Sequence, residues 1–261
     1  MLQDPLRLRF AIFFVVLLFF IGLEFFLSDR KKSAKRFARW PANLGMSFVS
    51  SFLIRALSPL GVAGVAVWAN EKSLGLFHFL DIASHPAIFL ASLVMLDLLI
   101  YAQHVLTHHV AFLWRLHRVH HSDLELDATS ALRFHPLEIV FSFFYKSLFV
   151  LIFGFSATSV IVFEILLNGF AIFNHSNLHL PGKLEKILRY FIVTPQMHVV
   201  HHSIAENEQK KNYGFCFSFW DRWLNTYLQR SEEKDIGLKD FRSDKEQSFW
   251  ELLIQPIKKQ G

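Results

Sequence analysis

The sequence predicts an all-α protein, a multi-pass helical bundle in a membrane of about four spans, two of them a hairpin, with a histidine-rich cap on the cytoplasmic face. Three observations predict it. Of 261 residues, 52% are apolar and 30 are phenylalanine, well beyond the usage of an ordinary soluble domain. Apolar runs recur at a length that matches a bilayer core. Ten of the fourteen histidines fall into tight groups near the ends of those runs. The single cysteine, Cys216, excludes an intrachain disulfide, a cysteine-held iron–sulfur cluster and a thiolate zinc site. A bound metal would therefore take nitrogen and oxygen ligands. The net charge of +5 is modest and sits mainly in loops and the C-terminal third, which suits anionic lipid or an acidic protein partner, not nucleic acid.

Residues 10–27 form the clearest span, reaching about 27 Å at about 1.5 Å per residue. No small-residue cleavage site follows, so an anchor is expected and not a cleaved signal. Arg30, Lys31, Lys32, Lys35, Arg36 and Arg39 come next, against only Arg7 and Arg9 before the span, which places this loop in the cytoplasm. Residues 44–69 return outward, interrupted by Ser58, Pro59, Gly61 and Gly64, to a loop carrying His78 and His85. Residues 87–103 come back inward and deliver His104. Residues 137–153 and 157–173 flank Gly154 and Phe155 as a hairpin with both ends cytoplasmic, so two histidine groups precede it, two follow it, and all share one face. Residues 187–193 read as a short interfacial patch, and the chain from Glu206 onward is charged. Glu24, Arg55, Asp97, Lys146 and Glu164 lie inside apolar runs, where an unpaired charge costs roughly 2–4 kcal/mol. Lys146 and Glu164 stand at equal distance from Phe155 and are expected to pair.

His104 and His108 are four apart and share a helix face, with Asp97 and Tyr101 on the same stripe as candidates to orient a ligand ring. His117, His120 and His121 form HxxHH, repeated by His198, His201 and His202; each triplet is expected to turn three nitrogens toward one centre. His175 and His179 form a second HxxxH pair directly after the hairpin. Ten imidazoles exceed what one first-row ion can use, so the count implies two ions. His78 and His85 are expected outside the site, His109 beside it, and His135 open between ligand and bystander.

The order of these boxes, with WRLHRVHHS at 114–122, RFHPLE at 133–138, NHSNLHLP, TPQMHVVHHS at 194–203 and NYGFCFSFWDRWLNTY at 212–227, resembles the fatty acid hydroxylase/sterol desaturase superfamily. Members often read WDRLFGTY where this chain has Trp223, Leu224 and Asn225. The resemblance covers about residues 90–230 and implies a di-iron enzyme, with His104, His108, His117, His120, His121, His175, His179, His198, His201 and His202 as metal ligands and catalytic residues. It implies two Fe ions and O2 as co-substrate in hydroxylating or desaturating a lipid alkyl or sterol-like substrate. The chain then divides into an anchor region (1–86), a hydroxylase-like catalytic region (87–230) and a charged C-terminal cytoplasmic tail (231–261). No haem, flavin or ferredoxin motif is present, so electrons would come from a separate donor of ferredoxin or cytochrome b5 type. The bacterial inner membrane is the favoured location and the endoplasmic reticulum the other. A divalent-metal transporter or a catalytically silent metal-binding membrane protein is the alternative.

Overall fold

The computed structural model describes residues 3–30 and 36–259. Its helices are α1 (Gln3–Phe26), α2 (Arg36–Leu57), α3 (Val62–Glu71), α4 (Leu76–Phe79), α5 (Pro86–His109), α6 (Ala111–His121), α7 (Pro136–Phe153), α8 (Ala157–His175), α9 (Gly182–Leu188), α10 (Pro195–His201), α11 (Glu206–Gln209), α12 (Phe219–Trp223) and α13 (Phe249–Ile254). Among the described residues, β pairing is confined to three isolated bridges, so the all-α class holds. Five stretches are long and apolar enough to cross a membrane: Arg7–Phe26, Arg36–Phe79, Pro86–His109, Pro136–Phe153 and Ala157–His175.

The second of these departs from its predicted form. Helix α2 begins at Arg36 and stops at Leu57, and Pro59 with Gly61 at φ +62° breaks the path before α3 resumes. Proline lacks the N–H a helix needs, and glycine tolerates the left-handed turn. Helices α5 and α7 begin alike: a proline at the first position, preceded by a histidine whose Nδ1 accepts the backbone N–H of Ala87 or Leu137. Gly154, at φ +74°, ends α7, and Ser156 caps α8.

α1 packs on α8, α2 on α7, and both α3 and α5 touch α7 and α8. The hairpin is therefore splayed around α3 and α5. Leu96, Val150, Phe155, Val160 and Phe163 fill that centre and are almost fully buried. At the end away from the histidine groups, a β-carbon on Gly75 would stand 2.2 Å from the Gly154 nitrogen, so only glycine lets the two backbones meet. His78 hydrogen-bonds Asn70 there, and His85 caps α5, so both lie apart from the other groups. Lys146 and Glu164 pair as expected at 3.0 Å, and Arg9 joins them at 2.6 Å.

A buried ionic tie holds the bundle to its cap. Glu24 accepts the backbone N–H groups of Ala128 and Asn177, both at 2.8 Å, and pairs with Arg36. Arg36 and Arg39 reach Asp127, and Arg39 also binds Asp123. Lys31, Lys32 and Lys35 of the basic loop lie outside the described residues, whereas Arg36 and Arg39 are interior side chains. The segment expected as a charged tail also proves to be packed. Phe249, Leu252 and Leu253 lay an apolar face on Ala42, Met46 and Val119, and Arg118 and Arg133 bind Gln255 O and Gln247 Oε1. Its charges cover the outer side of an amphipathic strap.

Burial alone would raise the Asp123 carboxyl, but Arg39 and Arg133 hold it below the ordinary carboxylate range. Its contribution is therefore complete above the unfolded value of about 3.9 and is lost as pH falls through the lower folded value. Asp123→Asn should cost about 3–5 kcal/mol by leaving buried cations uncompensated, read as thermal unfolding in detergent. Loss of this term already near neutral pH would contradict the assignment.

Candidate metal centre

Nine of the ten predicted histidines converge in two groups. His104, His108, His117, His121 and His201 form one; His120, His175, His198 and His202 form the other, with candidate ligand atoms in each within 4.8 Å of one another. All nine are buried. The HxxHH triplets do not each serve one centre as expected; each is divided. On a helix, positions i and i+4 lie about 40° apart and adjacent positions about 100° apart. His117 and His121 therefore face one group while His120 faces the other, and on α10 His198 and its C-terminal neighbour His202 face the second group while His201 returns to the first. Two short helices thus cross-link both centres.

The tenth histidine stands elsewhere. His179 lies beyond the end of α8, where Ser176 takes an extended conformation, and its ring is 64% exposed, with Nδ1 2.7 Å from Asp29. The HxxxH spacing assumed a continuous helix, and the helix stops four residues short. His135 is also accounted for: Nδ1 caps α7 and Nε2 meets Leu253 O at 3.2 Å. His109 contacts the Tyr213 hydroxyl at 3.2 Å.

Hydrogen bonds set the tautomers of four rings. Nδ1 of His104, His175 and His201 meets the backbone carbonyls of Tyr213 (2.7 Å), Ala171 (2.6 Å) and Lys211 (2.8 Å). His117 Nδ1 meets Glu138 Oε1 at 2.7 Å. Carbonyl and carboxylate oxygens only accept, so each Nδ1 donates and each Nε2 keeps its lone pair. The His104 and His117 Nε2 atoms nevertheless face each other at 3.1 Å. Two lone pairs at that distance repel, and a cation between them removes the repulsion. Two nitrogens about 2.1 Å from one ion and at right angles about it are about 3.0 Å apart. His108 Nε2, His201 Nε2 and both nitrogens of His121 and His202 are buried without hydrogen-bond partners. This donor set fits metal ions. Burial and neighbouring imidazoles hold His120, His121, His198 and His202 well below their ordinary value, and burial brings His201 down to about 3. The neutral, ligating form is therefore present at pH 7.

Asp97 and Tyr101 do not bond the rings as expected; they act one step further out. Asp97 accepts from the Cys216 and Phe217 backbone and from Trp220 Nε1, and Asp221 accepts from the Tyr213 and Gly214 backbone. Together they fix the loop whose Tyr213 carbonyl orients His104. The Tyr101 hydroxyl bonds Thr226 in the same unit. Asn225, where the family pattern has glycine, adopts φ +58°, a conformation asparagine tolerates. Sequence reasoning missed Glu138 and Phe134, which stacks on His120 at 4.2 Å. The available signal was a lone acid in the first turn of a membrane helix, three residues after His135.

A cavity of about 370 Å³ opens from this centre into the bundle. His104, His117, Phe134 and Glu138 close one end, and Phe13, Ile54, Ile100 and Phe143 contribute apolar walls.

The fatty acid hydroxylase family model matches residues 89–226, just over half the chain. The chain is 27% identical to the ornithine lipid hydroxylase OlsE of Rhizobium tropici over 65% of its own length and 50% of the relative's. It is 30% identical to the sphinganine C4-monooxygenase 1 of Arabidopsis thaliana, over 64% of this chain and 66% of the relative. It is likewise 30% identical to the alkylglycerol monooxygenase of Danio rerio, over 67% of this chain and 37% of the relative. The chain thus spans half or less of the rhizobial and zebrafish proteins. No solved structure matches it. The matched region holds α5 to α10 and with them every imidazole of both groups, so the chain belongs to the fatty acid hydroxylase family.

Proposed function

We propose that the protein is an integral membrane oxidoreductase that hydroxylates, or desaturates, a lipid alkyl chain with O2 at a dinuclear iron centre. The observation that carries this reading is the pair of lone-pair-bearing nitrogens, His104 Nε2 and His117 Nε2, at the closed end of a largely apolar cavity. Metal transport is the weaker reading, because the relatives' names describe hydroxylation and monooxygenation.

His104, His108, His117, His121 and His201 would hold one ion, and His120, His175, His198 and His202 the other. Bound iron supplies, with O2, the oxidising power that an unactivated C–H bond demands and that no side chain possesses. The chain's own residues set the conditions. Tyr213 O, Ala171 O, Lys211 O and Glu138 fix the rings so that their nitrogens face inward before any ion arrives. Phe134 and Phe143 keep the wall by the rings apolar, which excludes water from the reacting carbon. In hydroxylation one oxygen atom enters the C–H bond and the other leaves as water, with two electrons and two protons supplied from outside. A separate ferredoxin- or cytochrome b5-type donor is the proposed source, docking on the basic cytoplasmic face. The basic run at 30–39 supports a cytoplasmic cap, and we favour a bacterial inner membrane over the endoplasmic reticulum.

Metal analysis of purified protein should give two irons per chain, and lipid extracts from cells carrying the gene should gain species differing by one oxygen or by two hydrogens. Fewer than two metals, or metals without lipid oxidation under a competent donor, would sink the reading. His121→Ala should remove metal, whereas His179→Ala should leave content and turnover near wild type; equal loss in both would put His179 back among the ligands. Glu138→Gln should lower metal affinity or turnover by about 10- to 100-fold, as replacing a ligand's hydrogen-bonding partner typically does.

A further inference from the structure

The cavity changes character along its length. Beyond its apolar middle it is lined by Arg9 of α1, Arg55 of α2, Lys146 of α7 and Glu164 of α8. At the metal end its remaining titratable groups are His104, His117 and Glu138, the last engaged with His117. The far end therefore carries three cations against one carboxylate. Glu164 binds Lys146 and Arg9. Arg55 has no acidic partner among the described residues, and its guanidinium stands 4.6 Å from the Phe10 ring centroid. Ser47, Ser51 and Arg55, spaced by four on α2, form one stripe that faces the cavity. Lys146 and Glu164 lie inside their candidate spans, whereas Arg9 stands near the start of the Arg7–Phe26 span and Arg55, an exposed residue, in the last turn of α2, so the excess positive charge reaches from the cavity toward the edge of the bundle.

We propose that this end of the cavity binds the anionic group of a lipid, a carboxylate or a phosphate, through Arg55 with Arg9 and Lys146, and that the lipid chain runs from there toward His104 and His117. The orientation of the chain toward oxidation rests on the oxygenase reading; the anion site does not. On α8, Glu164 precedes His175 by eleven residues, about 16 Å of helix rise. Headgroup and metal centre are thus held apart, and the part of the chain presented to the metals is remote from the headgroup. Arginine suits this role because its planar fork meets carboxylate and phosphate oxygens in pairs.

Binding can be measured without turnover, on the full chain in phosphatidylcholine nanodiscs. Palmitate is compared with hexadecanol, and phosphatidate with diacylglycerol, so that headgroup charge varies while the chains are kept. The site predicts that at least one anion outcompetes its neutral partner, and which pair responds separates carboxylate from phosphate. Equal affinity within both pairs would overturn it, and that comparison needs no variant. Arg55→Gln should weaken the preferred anion by about 10- to 100-fold, the worth of a hydrogen bond to a charged group, and Arg55→Lys, which keeps the charge but not the fork, should recover only part of it. An unchanged affinity in Arg55→Gln would also overturn it. Stearate carrying a nitroxide near its methyl end should show relaxation enhancement in metal-loaded protein, and stearate labelled near the carboxylate should not; the reverse would overturn the chain direction. Anion preference without lipid oxidation would leave this site standing and remove the oxygenase reading. Oxidation of lipids that bind without anion preference would do the opposite.

Discussion

Nine imidazoles pressed into two buried groups place an unusual demand on a fold. Neutral rings whose nitrogens carry lone pairs toward a common point repel one another, and burial denies them water as a partner. The surrounding architecture answers that demand from outside, because four Nδ1 hydrogens are satisfied by three carbonyls and one carboxylate. Those acceptors are fixed in turn: the Tyr213 carbonyl by a loop clamped between Asp97 and Asp221, and Glu138 by the first turn of α7. Preorganisation of this kind moves the cost of ordering ligands from metal binding to folding. It also explains why α6 and α10 are each divided between the centres, since a helix that contributes to both keeps their spacing constant.

Below this centre, the helices trade packing for space. The splayed α7 and α8 would meet closely in a simple hairpin, but α3 and α5 fill one side of the gap and the cavity takes the other. Charges that would be costly in a lipid-facing wall, Lys146 and Glu164 among them, are admitted because they pair across that gap, where Glu164 also meets Arg9. The bundle is held to the cap by Glu24, Arg36, Arg39, Asp123 and Asp127, whose partners come from segments far apart in sequence.

Much of this was legible in the residues because it depends on local spacing. The span at 10–27, the hairpin about Gly154, the Lys146–Glu164 pair and the nine convergent histidines all follow from hydropathy and helical periodicity. What escaped depends on where a helix stops or on partners distant in the chain. HxxxH brings His179 beside His175 only on a continuous helix, and α8 ends at His175. Spacing shows which side chains of a triplet share a face, not how many targets surround it, so the division of each triplet appears only in the fold. The roles of Glu138 and Asp221 exist only once α6 or the 212–218 loop is folded against them. Arg36 and Arg39 read as loop charges until Asp123 and Asp127, more than 80 residues away, brought them inside.

That long separation has a consequence for how the chain is made. Arg39 leaves the ribosome 88 residues before Asp127, about 4 to 18 s at a synthesis rate of about 5 to 20 residues per second. For that interval Asp123 and Asp127 do not yet exist, so Arg39 stands without these later partners, whereas Glu24 of α1 is already made when Arg36 follows it. This is the period in which the insertion machinery reads flanking charge to orient the first helices. On the topology proposed above, the same two side chains are used twice, first within the basic run that orients the first helices and later as interior ties, and the order of synthesis separates the two uses.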